Sequence, residues 1–254
     1  MSERPKRVAY GIDIGVYNVG QTQNIVKSTT MHWARVESTA ALTFDHESEQ
    51  FGFNGPIHTE QDLNALVSFV ATDLKEGLQV AVGMDAPMWQ PAPTVLPNGS
   101  FSLYQERIPQ ERPSYFWYLQ SGASATVRAL PGGRLLFHGL KRQGLIPTCS
   151  TSNDDSDILL YEGFVAGDYK VLQGGDSHAN DAVLMAIGFH DSCDDVRTAL
   201  STLHPCGAFG QDVLSHWATI VADADLPNAS CKSDCCIVGY DRNSETLRNA
   251  CMDE

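Results

Sequence analysis

The chain has 254 residues, 43% of them hydrophobic, and a formal net charge of −14 at pH 7. This length and apolar content allow one large domain or two small ones with a sizeable core, and they argue against a disordered chain. The acidic balance argues against a broad electrostatic grip on nucleic acid, which usually requires a basic face, so any such contact must be local or mediated by cations.

We expect a cytoplasmic protein without a membrane partner. Residues 1–8 are charged and lack the apolar core of a secretory signal, and the sequence has no uninterrupted apolar run of about 18 residues, the length that a membrane span requires. The seven cysteines are therefore expected to be reduced. A zinc site built on Cys231, Cys235 and Cys236 is the weaker hypothesis, because paired Cys-x-x-Cys motifs at regular spacing are missing.

The first apolar stretch, residues 7–14, predicts a buried strand, because it is short, contains β-branched residues and ends near glycines. A carboxylate near the end of such a strand needs a partner, since an unpaired buried charge is costly. Asp13 therefore predicts a metal, a cation or hydrogen-bond donors at this strand end, and Gly11 and Gly15 let a ligand approach the backbone closely. An aspartate that caps a turn explains the motif equally well.

Residues 31–36 and 41–53 predict two further strands, which would form an antiparallel meander with the first. Thr59 is expected to cap a helix that extends to about Gly77, because leucine and valine recur there at helical spacing. The first part of the chain therefore predicts a small sheet followed by a helix that crosses it.

Residues 79–85 predict another buried strand, which ends at a second aspartate, Asp85. A strand, a crossover helix and a second strand favour a right-handed β-α-β unit. Asp13 and Asp85 would then lie at the same edge of one sheet, which is where open α/β sheets place their binding sites.

A proline-rich insertion follows, from about residue 88 to residue 156. Its first part, residues 88–113, is long enough to predict a lid over the acidic edge. Aromatic side chains beside arginines can stack bases and hold phosphates, which makes Trp89, Arg107 and Arg112 candidate substrate-binding residues. Packing of the aromatic side chains on the core is the favoured alternative.

Two other stretches predict helices with less regular patterns. Residues 121–145 contain helical patches that the motif Pro131-Gly132-Gly133 is expected to break. Residues 196–203 and 213–221 also have a helical pattern. These stretches add helices around the predicted sheet but no further candidate site.

A third acid-ended strand is predicted up to Glu162. A helix follows it, with Asp176 or Ser177 as its N-cap. His178 and Asp181 lie on one side of this helix together with small residues, so Asp181 is expected to point toward the sheet edge. A first-turn aspartate that stays near solvent and is stabilised by the helix dipole is the alternative.

In this order the acids resemble the ribonuclease H-like nucleases, which carry an aspartate on the first strand, an acid on the fourth and His-x-x-Asp on the closing helix, as in Holliday-junction resolvases. Within this fold, the chain resembles more closely the predicted-nuclease branch called domain of unknown function family 429. The motifs that carry this resemblance are Gly11-Ile12-Asp13, Asp85-Ala86-Pro87, Tyr161-Glu162-Gly163-Phe164 and His178-Ala179-Asn180-Asp181-Ala182. One departure is Gly163, since many relatives follow the glutamate with a proline. The resemblance covers about residues 7–190, which predicts a domain of residues 1–190 and an extension, helical or irregular, of residues 191–254 packed on it.

The resemblance implies an α/β fold with a mixed five-stranded sheet flanked by helices. It also implies a nuclease that hydrolyses phosphodiester bonds with two Mg²⁺ or Mn²⁺ ions, hard cations that prefer carboxylate oxygens. Asp13 would bridge the two ions, and Asp85 and Asp181 would each complete one of them. Glu162 would add a ligand or orient the attacking water. His178 would transfer a proton or bind phosphate.

Two other functional classes remain open. The sequence Gly-Ile-Asp-Ile-Gly also resembles the first phosphate loop of actin-like sugar and pantothenate kinases, which would make the chain a small-molecule kinase or another ATP-binding protein. Those kinases need a second glycine-rich phosphate loop, and Gly174-Gly175 is a short match to it. A catalytically inactive binding module is the third class, and it predicts no metal binding at the acids.

Overall fold

The computed structural model of the chain shows a mixed β-sheet with helices on both faces. It describes residues 7–14, 31–37, 42–45, 50–53, 57–60, 62–91, 94–95, 97–102, 121–151, 155–164, 177–192, 213–230 and 237–239. Several predictions lie outside these residues: residues 103–113 of the lid, the substrate-binding arginines Arg107 and Arg112, the loop Gly174-Gly175, the cap at Asp176, the helix at residues 196–203 and the cysteines at 231–236.

The strands of the described residues are β1 (Arg7–Ile14), β2 (Met31–Val36), β3 (Leu42–Asp45), β4 (Gln50–Phe53), β5 (Ile57–Glu60), β6 (Gln79–Met84), β7 (Trp89–Pro91), β8 (Thr94–Val95), β9 (Phe101–Ser102), β10 (Cys149–Ser150), β11 (Ile158–Phe164), β12 (Val213–Ser215), β13 (Asn228–Ser230) and β14 (Ile237–Gly239). The helices are α1 (Leu63–Lys75), α2 (Ser121–Arg142), α3 (Ser177–Ser192) and α4 (His216–Asp223). Among these helices, none is both long and apolar enough to cross a membrane.

The main sheet has the strand order β13-β10-β11-β6-β1-β2-β5, and β14 pairs with β11 beside β10. Strands β1, β6 and β11 are parallel to one another, whereas β2 is antiparallel to β1 and to β5. The predicted α/β class, mixed sheet and flanking helices are thus confirmed. The described sheet has eight strands instead of five, because β10, β13 and β14 extend it beyond β11.

The meander differs from its prediction in its third strand. Strands β3 and β4 pair antiparallel with each other in a separate two-stranded sheet, and the strand that pairs with β2 is β5. Thr59 therefore lies in a strand, and it does not cap α1. The cap is Asp62, whose Oδ1 accepts a hydrogen bond of 2.8 Å from the backbone N–H of Asn64. An aspartate serves this role well because its short side chain reaches the first free N–H groups of the helix.

Helix α2 continues through Pro131, where the sequence predicted a break. Proline removes one helical hydrogen bond, but the glycines that follow it let α2 pack closely on its neighbours. A Cβ atom at Gly133 would lie 2.8 Å from Ile220 Cδ1, and one at Gly139 would lie 2.8 Å from Val67 Cγ2. The packing of α2 on α1 and α4 thus maintains a helix that local propensity disfavours.

The two faces of the sheet are covered by different helices. Helix α3 packs on β1 and β2, while α1, α2 and α4 form a layer on the opposite face. Alternation along β1 places Gly11 toward α3 and places Tyr10 and Ile12 toward the other layer. A Cβ atom at Gly11 would lie only 1.9 Å from the carbonyl oxygen of Ala182 in α3, so glycine is required for this close approach.

A buried polar cluster connects α1 to the sheet. Asp73 is 2% exposed and accepts two hydrogen bonds from the guanidinium of Arg35, of 2.9 and 2.7 Å. The hydroxyl of Tyr10 also donates to Asp73. Burial and the neighbouring Asp73 raise the pKa of Tyr10, which keeps the phenol protonated as the donor. Asp73 is therefore a fully partnered structural carboxylate.

We expect Gly11→Ala to lower the free energy of unfolding by about 3 kcal/mol, because the new methyl group would meet a backbone carbonyl that cannot rotate away. Denaturant unfolding measures this loss. The matched control is Gly163→Ala, whose methyl group would meet the Sδ atom of Met185, the flexible end of a side chain. Its cost should be smaller, and Met185→Ala should relieve part of it. Equal losses for the two variants would show that α3 can move away from β1.

His190, near the end of α3, gives a pH dependence of stability. Its Nε2 lies 2.8 Å from the carbonyl oxygen of Val36, and burial lowers the pKa of this imidazole below its ordinary value of 6.5. The unfolded chain therefore takes up a proton at a higher pH than the folded protein does. The associated stability is present above about pH 6.5 and is lost as the pH falls below it.

We therefore expect His190→Gln to reduce the loss of stability that wild type shows between pH 7 and pH 5. Urea unfolding at several pH values measures the slope of the unfolding free energy in each protein. The difference between the two slopes isolates His190 from the other histidines. Parallel slopes would contradict the neutral, buried state of this imidazole.

Candidate metal centre

The close contact between α3 and β1 places the first turn of α3 beside the end of β1. Asp13 lies on the same face of the sheet as Gly11, two residues further along the strand. Ala182, the residue of α3 that contacts Gly11, directly follows Asp181. The contact at Gly11 therefore brings Asp13 and Asp181 to one place.

Three side chains meet there. His178 Nδ1 lies 3.0 Å from Asp13 Oδ2, and the potential ligand atoms of Asp13, His178 and Asp181 all lie within 4.8 Å of one another. The Asp13 side chain is 4% exposed and that of His178 is 42% exposed, while Asp181 is 2% exposed. Two buried carboxylates thus lie beneath one imidazole that solvent can reach.

The spacing of His178 and Asp181 explains why both belong to this group. Residues three apart on a helix lie on the same side, one turn above the other. Asp181 is buried against the sheet, so it does not remain in solvent as a dipole-stabilised first-turn residue. The helix itself begins at Ser177.

The donor set fits a divalent cation. Two carboxylate oxygens and one imidazole nitrogen suit a hard or borderline metal, and a positive ion compensates the buried negative charge. The three residues can therefore hold a metal ion. The His178 side chain is the exposed member of the group, so solvent reaches the group from this side.

Asp85 lies next to this group but is not part of it. It directly follows β6, and its backbone N–H donates a hydrogen bond of 2.9 Å to the carbonyl oxygen of Ile12. The parallel pairing of β6 with β1 therefore places Asp85 beside Asp13 at the same sheet edge. This is the location that the two acid-ended strands predicted.

Glu162 occupies a different place from the one expected. Strand β11 extends two residues beyond it, to Phe164, so Glu162 is inside the strand. It pairs with Met84, which pairs with Ile12, and directly opposite residues share a face of the sheet. Glu162 thus faces the layer of α1, α2 and α4, opposite to Asp13. Its side chain is completely buried, and Oε2 accepts a hydrogen bond of 2.8 Å from the N–H of Met88.

The substrate-binding candidate Trp89 is also buried. It is 0% exposed and belongs to the main hydrophobic core together with Met84 and Met88. Strand β7, which contains it, pairs with β12. Its ring therefore packs in the core, as in the favoured alternative to a stacking role.

His32 is a neighbour of the group that the sequence did not indicate. It lies opposite Asp13 in the pairing of β1 with β2, and its ring stacks on that of His178 with 6.0 Å between centroids. The strand itself was predicted, but the register was not, because the turn that fixes a register could not be identified between the two strands. With that register, His32 follows directly as the residue opposite Asp13.

Comparisons with protein-family models, with curated proteins and with solved structures gave no match.

We expect Mn²⁺ to raise the melting temperature of the protein, because an ion that binds only the folded state stabilises that state. At about 100 times its dissociation constant the gain is about 2.7 kcal/mol, which corresponds to roughly 5–10 °C in a chain of this size. Asp13→Asn should lose most of this rise, because it removes one negative charge and one ligand. Differential scanning fluorimetry with and without Mn²⁺ measures it.

The control for this measurement is Asp73→Asn, which changes a buried carboxylate on the other face of the sheet. It should melt at a lower temperature than wild type but keep the full response to Mn²⁺. A full response in Asp13→Asn would mean that Asp13 is not a ligand, and its contact with His178 would then be a structural ion pair.

Proposed function

We propose that this chain is a metal-dependent phosphodiester hydrolase of the ribonuclease H-like type, with nucleic acid as its substrate. The observation that carries the proposal is the convergence of Asp13, His178 and Asp181 at one end of the sheet. Two buried carboxylates and an accessible imidazole are the groups that metal-assisted hydrolysis requires. The order of these residues along the chain supports the resemblance to the family 429 nucleases.

Each side chain of the group would have a separate role in hydrolysis. A bound Mg²⁺ or Mn²⁺ would supply Lewis acidity to the phosphate and lower the pKa of a bound water. Asp13 and Asp181 would hold the cation through their buried oxygens. The contact of His178 Nδ1 with Asp13 Oδ2 orients the imidazole ring. This imidazole would accept the proton of the attacking water, since imidazole exchanges protons readily near neutral pH.

The second metal ion is part of the proposal. Asp85 follows Met84, which pairs with Ile12, so it lies beside Asp13 in the sheet. Asp13 and Asp85 would hold the second ion, and the chemistry that such an ion supplies in two-metal hydrolases is stabilisation of the leaving oxygen. Mg²⁺ and Mn²⁺ are the favoured ions because the carboxylates outnumber the single imidazole.

The overall charge of the chain limits how nucleic acid can bind. With a net charge of −14, the protein repels a polyanion at long range. Divalent cations in the site would reverse the charge locally, at the point where the phosphate must be held. We therefore expect binding to depend on the metal, with little contribution from sequence-independent contacts elsewhere.

The test is cleavage of labelled single-stranded and double-stranded DNA and RNA in the presence of Mg²⁺ or Mn²⁺. Asp181→Asn and His178→Ala should each reduce the rate by about 100-fold or more, since each removes a ligand or the proton acceptor. Asp223→Asn is the matched control, because this aspartate pairs with Arg134 and His138 on α2 and lies away from the site. It should cleave like wild type.

The cleavage assay, together with calorimetry of ATP and metal binding, separates the three functional classes. Full activity in Asp181→Asn would assign the cleavage to a contaminant or to another site. ATP binding in calorimetry without any cleavage would favour the kinase class. Failure to bind any divalent metal would favour the inactive binding module.

A further inference from the structure

The segment 85–88, which carries the Asp-Ala-Pro motif, is held by the rest of the molecule through its backbone. Asp85 N–H donates to Ile12, and the hydroxyl of Thr126 donates a 2.9 Å hydrogen bond to the carbonyl oxygen of Pro87. The N–H of Met88 donates a hydrogen bond of 2.8 Å to Glu162 Oε2. The carbonyl oxygen of Met88 accepts a hydrogen bond of 2.8 Å from the N–H of His216. The segment is therefore fixed from β1, α2, β11 and α4 at once.

We propose that Glu162 is a positioning residue that fixes the segment 85–88, and through it Asp85 beside Asp13, and that Glu162 is not itself a metal ligand. The inference deepens the proposed function and rests on it for the role of Asp85. It reassigns the acid that the sequence placed among the ligands.

The Glu162 side chain points away from the candidate metal centre. Residue 163 faces α3, because a Cβ atom at Gly163 would lie 1.9 Å from Met185 Sδ. Side chains alternate along a strand, so Glu162 faces the other way, toward α4. Asp13 and Asp181 lie on the α3 side. The sheet itself thus separates Glu162 from the candidate metal centre.

The Glu162 carboxylate is buried and accepts a hydrogen bond from one specific donor, the N–H of Met88. Glu162 and Met88 are both 0% exposed, so neither the carboxylate nor the N–H can exchange its partner for water. Pro87 has no N–H, which makes Met88 the first residue after the proline whose backbone can donate. A carboxylate that accepts from a buried backbone N–H makes a stronger hydrogen bond than a neutral acceptor does. Loss of the acceptor would leave the Met88 N–H buried and unpaired, which is costly.

The two roles of Glu162 predict opposite results for one conservative substitution. Glu162→Gln keeps a carbonyl oxygen that can accept from Met88 N–H but removes the negative charge. A positioning residue tolerates this change, whereas a metal ligand does not, because hard cations prefer charged carboxylates. Glu162→Ala removes the acceptor and should fail in either role.

The experiment measures amide hydrogen exchange of the peptide that contains Met88, without metal, and the dissociation constant of Mn²⁺ by calorimetry. In Glu162→Gln both quantities should stay within about threefold of wild type, since the acceptor is kept. In Glu162→Ala exchange should become at least about tenfold faster, as expected for the loss of a charged acceptor, and Mn²⁺ binding should weaken. Thr126→Val removes the anchor at Pro87 and should speed exchange in the same peptide.

Asp73→Asn separates positioning from general destabilisation. It loses a comparably buried carboxylate, but its Mn²⁺ affinity should equal that of wild type, unlike that of Glu162→Ala. If Glu162→Ala does not fold, Glu162→Gln and Thr126→Val still decide the question.

Two results would overturn the proposal. Loss of Mn²⁺ binding in Glu162→Gln to the extent seen in Asp13→Asn, with unchanged exchange at Met88, would make Glu162 a ligand. Unchanged exchange in Glu162→Ala would show that the carboxylate does not hold the segment. The exchange measurement needs neither metal nor cleavage. If the wild-type protein shows neither nuclease activity nor Mn²⁺ binding, the proposed function is refuted. The anchoring of the segment by Glu162 is then decided by the exchange rates alone.

Discussion

The contact on which the rest of the structure depends is the approach of α3 to β1 at Gly11. The carbonyl oxygen of Ala182 occupies the space that a side chain at position 11 would need. If α3 lay farther from β1, Asp181 and His178 would also lie farther from Asp13, and the ligand atoms of the three residues would no longer be within 4.8 Å of one another. The absence of a single methyl group thus determines whether these acids form one group or lie apart.

Within the described part of the chain, the buried aspartates occupy two environments of different character. Asp73 is matched by a guanidinium and a phenol, both of which are donors at neutral pH, so its charge is fully used in holding α1 on the sheet. Asp13 and Asp181 instead lie next to an imidazole with an edge in solvent. The first arrangement stabilises the fold and offers nothing to a ligand. The second places two carboxylates beside one imidazole, a group that could hold a metal ion.

The sequence predicted the elements whose apolar pattern matches their burial. Strands β1, β2, β6 and β11 are short apolar runs, and α1 has a clear apolar stripe, so each was found within a few residues of its observed bounds. The helix that carries His178 and Asp181 was found for the same reason. Its burial against the sheet followed from the small residues beside Asp181.

The failures have a common physical cause, since each depends on contacts distant in sequence. Helix α2 passes through Pro131 because α1 and α4 support it. Glu162 was taken for a strand-end acid because no local signal shows that β11 continues for two more residues, where it gains β14 as a partner. Because β11 ends two residues later than predicted, Glu162 lies inside the strand and its carboxylate is buried in the core. Only the pairing register of β11 with β6 shows this. The short strands β10, β13 and β14 have no distinguishing pattern at all.

The pairing of β14 with β11 has a consequence for how the protein is made. Every residue of the candidate site precedes position 182 in the chain, whereas the strand that covers the outer edge of β11 at Glu162 lies at Ile237–Gly239. During synthesis the sheet can therefore form while this edge still presents unpaired N–H and C=O groups. An open edge beside a buried carboxylate is a template for pairing with another nascent chain. Strand β14 pairs with this edge only after the C-terminal part of the chain has been made, so the sheet edge at Glu162 is completed late in synthesis.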